Sequence, residues 1–434
     1  MDERLVQAPA EVRTEPLRAA LLQAGPLAVA GVLTNGAMVV VTVLLARLLT
    51  TRGYGALNQL NGLFLVVSMP GSAVIVAVVR RVTSWAGAGD RGRVTAWARR
   101  LHAQGTLAVA GFAVAAAAAG PWLAGVLGQP HTIGLDAMLA AGAVWVLLCV
   151  DRGLLQGDRG YRTLSANLLV EGGTRTAGVL VLVAAGGGVT GAACGILVAE
   201  VVTAVHARLT ADRAWAAAPT DRAAPAGPSV RAERRALLSD LVAALVALAT
   251  IAWLQNVDVI VIGREAPSIA GAYAAVSVAS KALVFGAIVL GGYLLPEAAI
   301  RWREGDHALR QLGVTLAFLA VPAAILLGVA VGARRVLLTL VFSSRYLGAE
   351  AAFVPLAVAM MCLSVSVILT MYLLAVGDRR VTAVLVAGAA AVTVAVLAAH
   401  GSAAGTARAD LVVQAALAAV AAGEFALVHR RRVR

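Results

Sequence analysis

Runs of about twenty apolar residues follow one another along almost the whole chain, and they set the first condition on its fold. About 20 residues of helix cross the roughly 30 Å of hydrocarbon in a bilayer. Inside hydrocarbon every backbone amide and carbonyl needs a partner within the protein, which leaves only helices and closed barrels. A barrel is built from short strands of alternating polarity, and runs this long and uniform exclude it. They read as twelve spans, at 22–46, 57–79, 106–127, 135–156, 163–185, 187–207, 238–262, 269–295, 310–332, 350–376, 380–399 and 409–428. The expected fold class is all-α integral membrane. Composition agrees, since 60% of residues are apolar and 14% charged, whereas soluble domains are about 45–50% apolar.

The net charge of +13 raises nucleic acid as a partner, and the distribution of that charge removes it. Arginine gathers in alternate loops: Arg80, Arg81, Arg91, Arg93, Arg99 and Arg100; Arg159 and Arg162; Arg208 through Arg235; Arg301, Arg303 and Arg310; Arg379 and Arg380; then Arg430 through Arg434. The loops at 128–134 and 184–188 carry none. This positive-inside bias predicts a multi-pass protein of the cytoplasmic membrane with both termini and the long central loop in the cytoplasm. Arg52, Arg264, Arg334, Arg335 and Arg345 break the pattern without reversing it. A nucleic-acid reading needs a basic soluble domain, and no stretch is long enough for one. The N-terminal residues mix acids with arginines and show no cleavage-site pattern, so the first apolar run is expected to be retained. Cys149, Cys194 and Cys362 are scattered through apolar runs and suggest neither a disulfide framework nor a metal site. No glycine-rich phosphate loop, His/Cys cluster or acid pair on a large loop occurs, so neither a cofactor nor enzymatic chemistry is expected.

The chain reads as one half written twice. Gly55 and Gly271 open apolar runs after charged turns at an offset of 216, and Gly89-Asp90 and Gly305-Asp306 repeat at that same offset. Gly157-Asp158-Arg159 and Gly377-Asp378-Arg379 recur at 220. The expected organisation is a cytoplasmic segment at 1–21, a six-helix bundle at 22–210, a linker at 211–236 containing Pro219, Pro225 and Pro228, a second bundle at 237–428 and a basic tail at 429–434. Six spans per half is even, so the halves insert in one orientation, related by a pseudo-two-fold along the membrane normal with a cavity between them.

Ionisable residues inside the spans are the site candidates. A charge at the bilayer centre costs at least about 2.5–3.5 kcal/mol, so it should face protein or water. Between Trp253 and Pro296 lie Asp258 and Lys281, the only lysine in the chain. Lys281 is a candidate headgroup contact, and Asp258 its partner or a proton or cation site. Their helices can adjoin, but the two charges differ in depth along the normal, which leaves direct contact open. Glu171 and Arg175, four apart with Glu first, read as a self-neutralising helical pair, with a substrate contact or coupling charge as the alternative. Arg47 and Arg52 mark an outer rim, as substrate contacts or as snorkelling anchors, and Asp151 with Arg152 mark the inner mouth. Asn35, Asn58 and Asn61 either line a polar cavity or bridge helices. Pro70 and Gly71, near the middle of the second span, make a hinge or a static kink. The loop 80–104 predicts a short interfacial helix with Trp85 and Trp97 at headgroup depth.

Two family resemblances follow. Asp90-Arg91-Gly92-Arg93 resembles the loop signature of the major facilitator superfamily but fails at its glycines, where Ala86 and Arg93 stand. A wider resemblance rests on ARLLTTRGYGALNQLNGL at 46–63, NVDVIVIGREAPSIAGAYAAVSVASK at 256–281, PEAAIRWREGD at 296–306, LVFSSRYLGAEAAFVPLAVAMM at 340–361 and LLAVGDRR at 373–380. In order and spacing these are similar to the polysaccharide-export flippases of the multidrug/oligosaccharidyl-lipid/polysaccharide superfamily. HGSAAGTARAD at 400–410 lacks the Pro and Tyr usual in that loop. The resemblance implies two six-helix bundles moving an undecaprenyl-linked glycan between leaflets by alternating access. Lipid-linked glycan, membrane lipid, a polysaccharide polymerase and glycosyltransferases are the partners it implies. Lys281, Arg47 and Arg175 against Asp258 and Glu171 leave a slight positive excess, which suits a pyrophosphate headgroup. The alternatives are a cation-coupled drug exporter of the same superfamily, with Asp258 as its coupling charge, and a non-transporting scaffold of an envelope-synthesis complex.

Overall fold

The computed structural model of the chain describes residues 14–87, 90–216, 230–304, 308–376, 378 and 380–433. Those residues form helices and no strand. Eleven continuous helical stretches are long and apolar enough to cross a membrane. One of them, Tyr161–Trp215, has 55 residues, about 80 Å if straight at about 1.5 Å per residue. It folds back where Gly186 and Gly188 take φ of 87° and 53°, a left-handed backbone that glycine adopts without penalty. The stretch is therefore two crossings, and the described residues make twelve.

In chain order the helices are α1 (Thr14–Leu48), α2 (Thr51–Ser68), α3 (Gly71–Gly87), α4 (Arg91–Leu127), α5 (Thr132–Gly157), α6 (Tyr161–Leu182) and α7 (Gly188–Ala216). Then come α8 (Val230–Glu265), α9 (Ala270–Glu304), α10 (Ala308–Gly328), α11 (Arg334–Val341), α12 (Phe353–Ala375), α13 (Arg380–Leu397) and α14 (Ala403–Val433). A π-turn at Val329–Ala333 joins α10 to α11, and a 3-10 segment, Ser344–Ala352, leads into α12. Packing sorts them into two groups. In the first, α5 packs on α7, α3 and α4 while α6 packs on α7 and α1; in the second, α12 packs on α9 and α14 while α13 packs on α14 and α8. Lipid offers no hydrophobic drive between helices, so close approach of small residues does much of this work. A Cβ on Gly195 of α7 would stand 2.7 Å from the carbonyl carbon of Gly178 on α6.

Several expectations change. The second span breaks at Met69-Pro70 into α2 and α3, and Gly71 is packed so tightly that a Cβ there would lie 2.7 Å from the Trp145 ring and 2.8 Å from the Cys149 sulfur. Its neighbours pack closely around this break. The expected interfacial helix at 80–104 is not a separate element, because α3 runs on to Gly87 and α4 starts at Arg91, capped by the Asp90 carboxylate accepting from the Arg93 amide at 3.1 Å. The connector at 211–236 is helical at both ends, with 217–229 outside the described residues. Gly89, Gly305, Asp306, Gly377 and Arg379, which mark the repeat, also lie outside them. Helix α1 begins at Thr14, ahead of the span predicted at 22.

Candidate functional site

The halves meet along a seam in which α2 lies against α8 and α9. Gly55 of α2 and Gly271 of α9, equivalents in the internal repeat, touch there: a Cβ on Gly55 would be 2.6 Å from the Gly271 nitrogen. Gln59 is buried and donates its Nε2 to the carbonyls of Leu127 and Ile260, each at 2.9 Å, while its Oε1 accepts from Gln129 Nε2 at 2.5 Å. Gly62 rests on Asn256 and Ile260. At the end of α1, Arg345 donates to the carbonyls of Ala46 and Arg47, the Tyr346 hydroxyl donates to Ala46 O at 2.5 Å, and Arg47 Nη2 donates to Leu340 O at 3.0 Å. These bonds satisfy carbonyls that the end of a helix leaves open. Tyr54, Phe342 and Tyr346 pack beside them, with ring centroids between 5.5 and 6.3 Å apart.

Arg47 is thus part of a closure between the halves. Arg52 is exposed and has no partner among the described residues. Asn35 is exposed and donates to Gly31 O at 2.9 Å within its own helix, Asn58 donates to Tyr54 O at 2.8 Å in the same way, and Asn61 is exposed. None of the three bridges helices among the described residues.

Inside the N-terminal half, α5, α6 and α7 bury a charge cluster. Arg152 Nη2 pairs with Glu171 at 2.7 Å, and its Nε donates to Asn167 Oδ1 at 2.8 Å. Asn167 Nδ2 donates onward to Thr203 O at 3.0 Å and to His206 Nδ1 at 3.1 Å. Arg175 lies 3.7 Å from Glu171 and pairs more closely with Glu200. Glu171 and Arg175 are therefore not a self-contained pair. Each takes its shorter bond across helices, because side chains fixed on neighbouring helices reach one another with better geometry than a helix-internal pair allows. Arg152 is 6% exposed and belongs to this core, not to the inner mouth. Asp151, one residue earlier on α5 and turned about 100° from Arg152, sits near His102 at 3.2 Å and Arg208 at 3.4 Å.

The C-terminal half buries a second cluster between α8, α9 and α14. Lys281 Nζ lies 3.4 Å from Asp258 Oδ1 and 3.3 Å from Asn256 Oδ1, so of the two readings left open the direct pair is the one found. The flexible stem of lysine spans the offset that counting turns imposes on the Cα atoms. The other oxygen of Asp258 accepts from the Tyr273 hydroxyl at 3.0 Å and from Ser277 at 3.4 Å. Asp410 is fully buried and accepts from Gln414 at 3.1 Å through one oxygen, while its second oxygen has no partner. Thr406 Oγ1 and Gln414 Oε1, one turn to either side on α14, are also buried and without partners.

Sequence reasoning missed Glu200, Asp410, Gln414 and the depth of Arg152. Glu200 stands inside the sixth apolar run and was open to the same test that found Asp258. Asp410 was hidden by a boundary: α14 starts at Ala403, which draws a residue read as the edge of a span two turns inside it. With these added, the two clusters hold Arg152, Arg175 and Lys281 against Glu171, Glu200, Asp258 and Asp410. The slight positive excess expected from sequence becomes one carboxylate in surplus.

No protein-family model matches the sequence, and no curated protein matches it. Solved structures do. A variant of the Vibrio cholerae MATE transporter VcmN aligns with a TM-score of 0.65 at 14% identity, over 95% of this chain and 96% of that one. The same transporter in its bent form gives 0.61 at 15% identity over 92% and 94%. An inward-facing multidrug resistance MATE family transporter of the MOP superfamily gives 0.63 at 13% identity over 89% and 92%. Identity this low speaks for architecture alone: the chain has the fold of the MATE transporters of the MOP superfamily.

Proposed function

We propose that the chain is an alternating-access transporter of the cytoplasmic membrane that carries an undecaprenyl-linked oligosaccharide from the inner to the outer leaflet for surface polysaccharide synthesis. The asymmetry of the seam carries this reading. The repeat pairs the first span with the seventh and the second with the eighth, so the contact of α2 with α8 calls for a counterpart of α9 with α1. Among the described residues no comparable contact of α1 with α9 is made: α1 packs on α6 and is tied to the other half at its Arg47 end. Along the rest of its length it exposes Val29, Val32, Leu33, Val39 and Val40. A lipid-facing flank without that contact suits a substrate whose headgroup enters between the halves while its prenyl chain stays in lipid, where each buried CH₂ is worth about 0.8 kcal/mol.

The arginine-rich loops favour a cytoplasmic position for Arg80 through Arg100 and for both termini. With that orientation the Gly55–Gly271 closure lies at the outer face. Lys281 contacts a headgroup in this reading only when its pair with Asp258 opens, and Arg47 only when the seam parts. One observation favours the alternative, a cation-coupled exporter: the surplus carboxylate of the Asp258–Asp410 cluster. Reconstitution separates the two. Liposomes holding the purified protein should move a fluorescent undecaprenyl-pyrophosphate oligosaccharide between leaflets. Resistance to cationic drugs that Asp258→Asn abolishes, with no glycan movement, would establish the exporter instead.

A further inference from the structure

We infer that the end of the N-terminal half where α3, α4, α5 and α7 converge holds a site for the phosphate of an anionic phospholipid headgroup, distinct from the seam and from both buried clusters. A second apolar core closes this end, with Val78, Val82, Val94, Ala98, Leu154 and Trp215 among its members. Beside it lies a notch of about 10 Å³ whose walls include Thr95, Arg99, Arg208, Asp212 and Trp215. That volume fits a single oxygen atom of the size of a water. Trp215 is only 4% exposed, and its indole N–H has no acceptor among the described residues. Buried donors in folded proteins nearly always have one, so the notch is short of an oxygen.

The surroundings select an anion. The guanidinium of Arg91 lies 4.7 Å from the centroid of the Trp215 ring and is anchored to Asp158 at 2.9 Å, which fixes the indole. The one acid in the wall, Asp212, is held by Arg208 at 2.7 Å, and Arg208 also reaches Asp151 at 3.4 Å. Arg99 is exposed at the rim with no acidic partner among the described residues. Over 80–100, 158–162 and 208–213 the chain has ten arginines against three aspartates, a field that draws anionic headgroups. Arg81 and Arg93 stack on Trp85 at 5.0 and 4.5 Å, and Trp85 meets Trp97 edge-on at 5.6 Å. Such aromatic side chains settle at headgroup depth. One phosphate oxygen fills the notch and accepts from Trp215 Nε1, the others face Arg99, and the acyl chains run up α4 past the exposed Leu107. That apolar continuation favours a lipid over free phosphate.

Native mass spectrometry of the full chain with phosphatidylglycerol, phosphatidylcholine and inorganic phosphate tests this. Trp215→Phe keeps the ring and removes the N–H, and Arg99→Gln removes the rim charge. Each should weaken phosphatidylglycerol binding about five-fold, the loss of roughly one hydrogen bond, and Arg99→Gln should leave phosphatidylcholine unchanged. Asp212→Asn should strengthen it. Arg80→Gln, on the same end but outside the notch, should have no effect. Thr95→Val is a second probe of the notch wall should Trp215→Phe fail to fold. Unchanged binding in the notch variants, or an equal loss in Arg80→Gln, would overturn the site, and displacement of the lipid by inorganic phosphate would reassign it to the free anion.

Discussion

At the scale of single residues, the two buried clusters change what substitutions should do. Lys281→Ala looks from sequence like a clean loss of a headgroup contact at normal protein levels. In the structure it leaves the Asp258 carboxylate buried with only Tyr273 and Ser277 as donors. Breaking one partner of a buried pair costs about 3–5 kcal/mol, so yield and melting temperature in detergent should both fall. The double substitution Lys281→Met with Asp258→Asn should recover most of that loss. Equal melting of Lys281→Ala and the parent would show that the pair does not form. The same logic ranks the first cluster. Glu171 serves both Arg152 and Arg175, whereas Glu200 serves Arg175 alone. Glu171→Gln should therefore destabilise more than Glu200→Gln, by at least about 1 kcal/mol, in paired thermal melts. Positions of these charges along the chain were legible in the sequence, but their partners were not. Hydropathy gives depth, and it says nothing about the rotation of each helix that decides which side chains meet.

Among the helices, the seam is where backbones come closest. Gly271 leaves no room for a side chain against the Thr51 carbonyl, and Gly55 none against Gly271. A valine at position 271 should hold the seam apart without disturbing either bundle. Leu57, which is 5% exposed, offers a reporter: a cysteine there should react with a membrane-impermeant maleimide at least several-fold faster when Gly271→Val is added. An unchanged rate would mean that the glycine contact does not hold the halves closed. The spans themselves were legible because a run of apolar residues is a local signal. The break at Met69-Pro70 was legible too, since proline lacks an amide hydrogen. The edge-on contact of Trp85 with Trp97 in place of an interfacial helix was not, because the same residues suit a membrane surface and a helix pair equally well.

For the whole molecule, the duplicated halves, the twelve crossings and the arginine asymmetry combine into one test of orientation. Cysteine labelling should find Ser84 and Arg222, the latter outside the described residues, accessible from the cytoplasm, and Gly134 and Gly187 from outside. Arg222 outside would invert the scheme. The duplication could be read from recurring glycines and acids, yet the unequal flanks of the seam could not, since a repeat predicts symmetry and only packing reveals its breach. The surplus carboxylate of the two clusters has a further effect, on the response to membrane voltage. A unit charge crossing the full field is worth about 2.3 kcal/mol per 100 mV, and a site that changes the side it faces crosses part of that field with little atomic movement. In the exporter alternative, an inside-negative voltage would favour the empty carrier facing outward, while a monovalent cation bound at Asp410 would make the cluster neutral and indifferent to voltage. On that alternative, turnover in liposomes under an imposed diffusion voltage should vary with that voltage in the parent and be flat in Asp410→Asn; the cell's resting voltage would then be the force that resets the carrier between cycles.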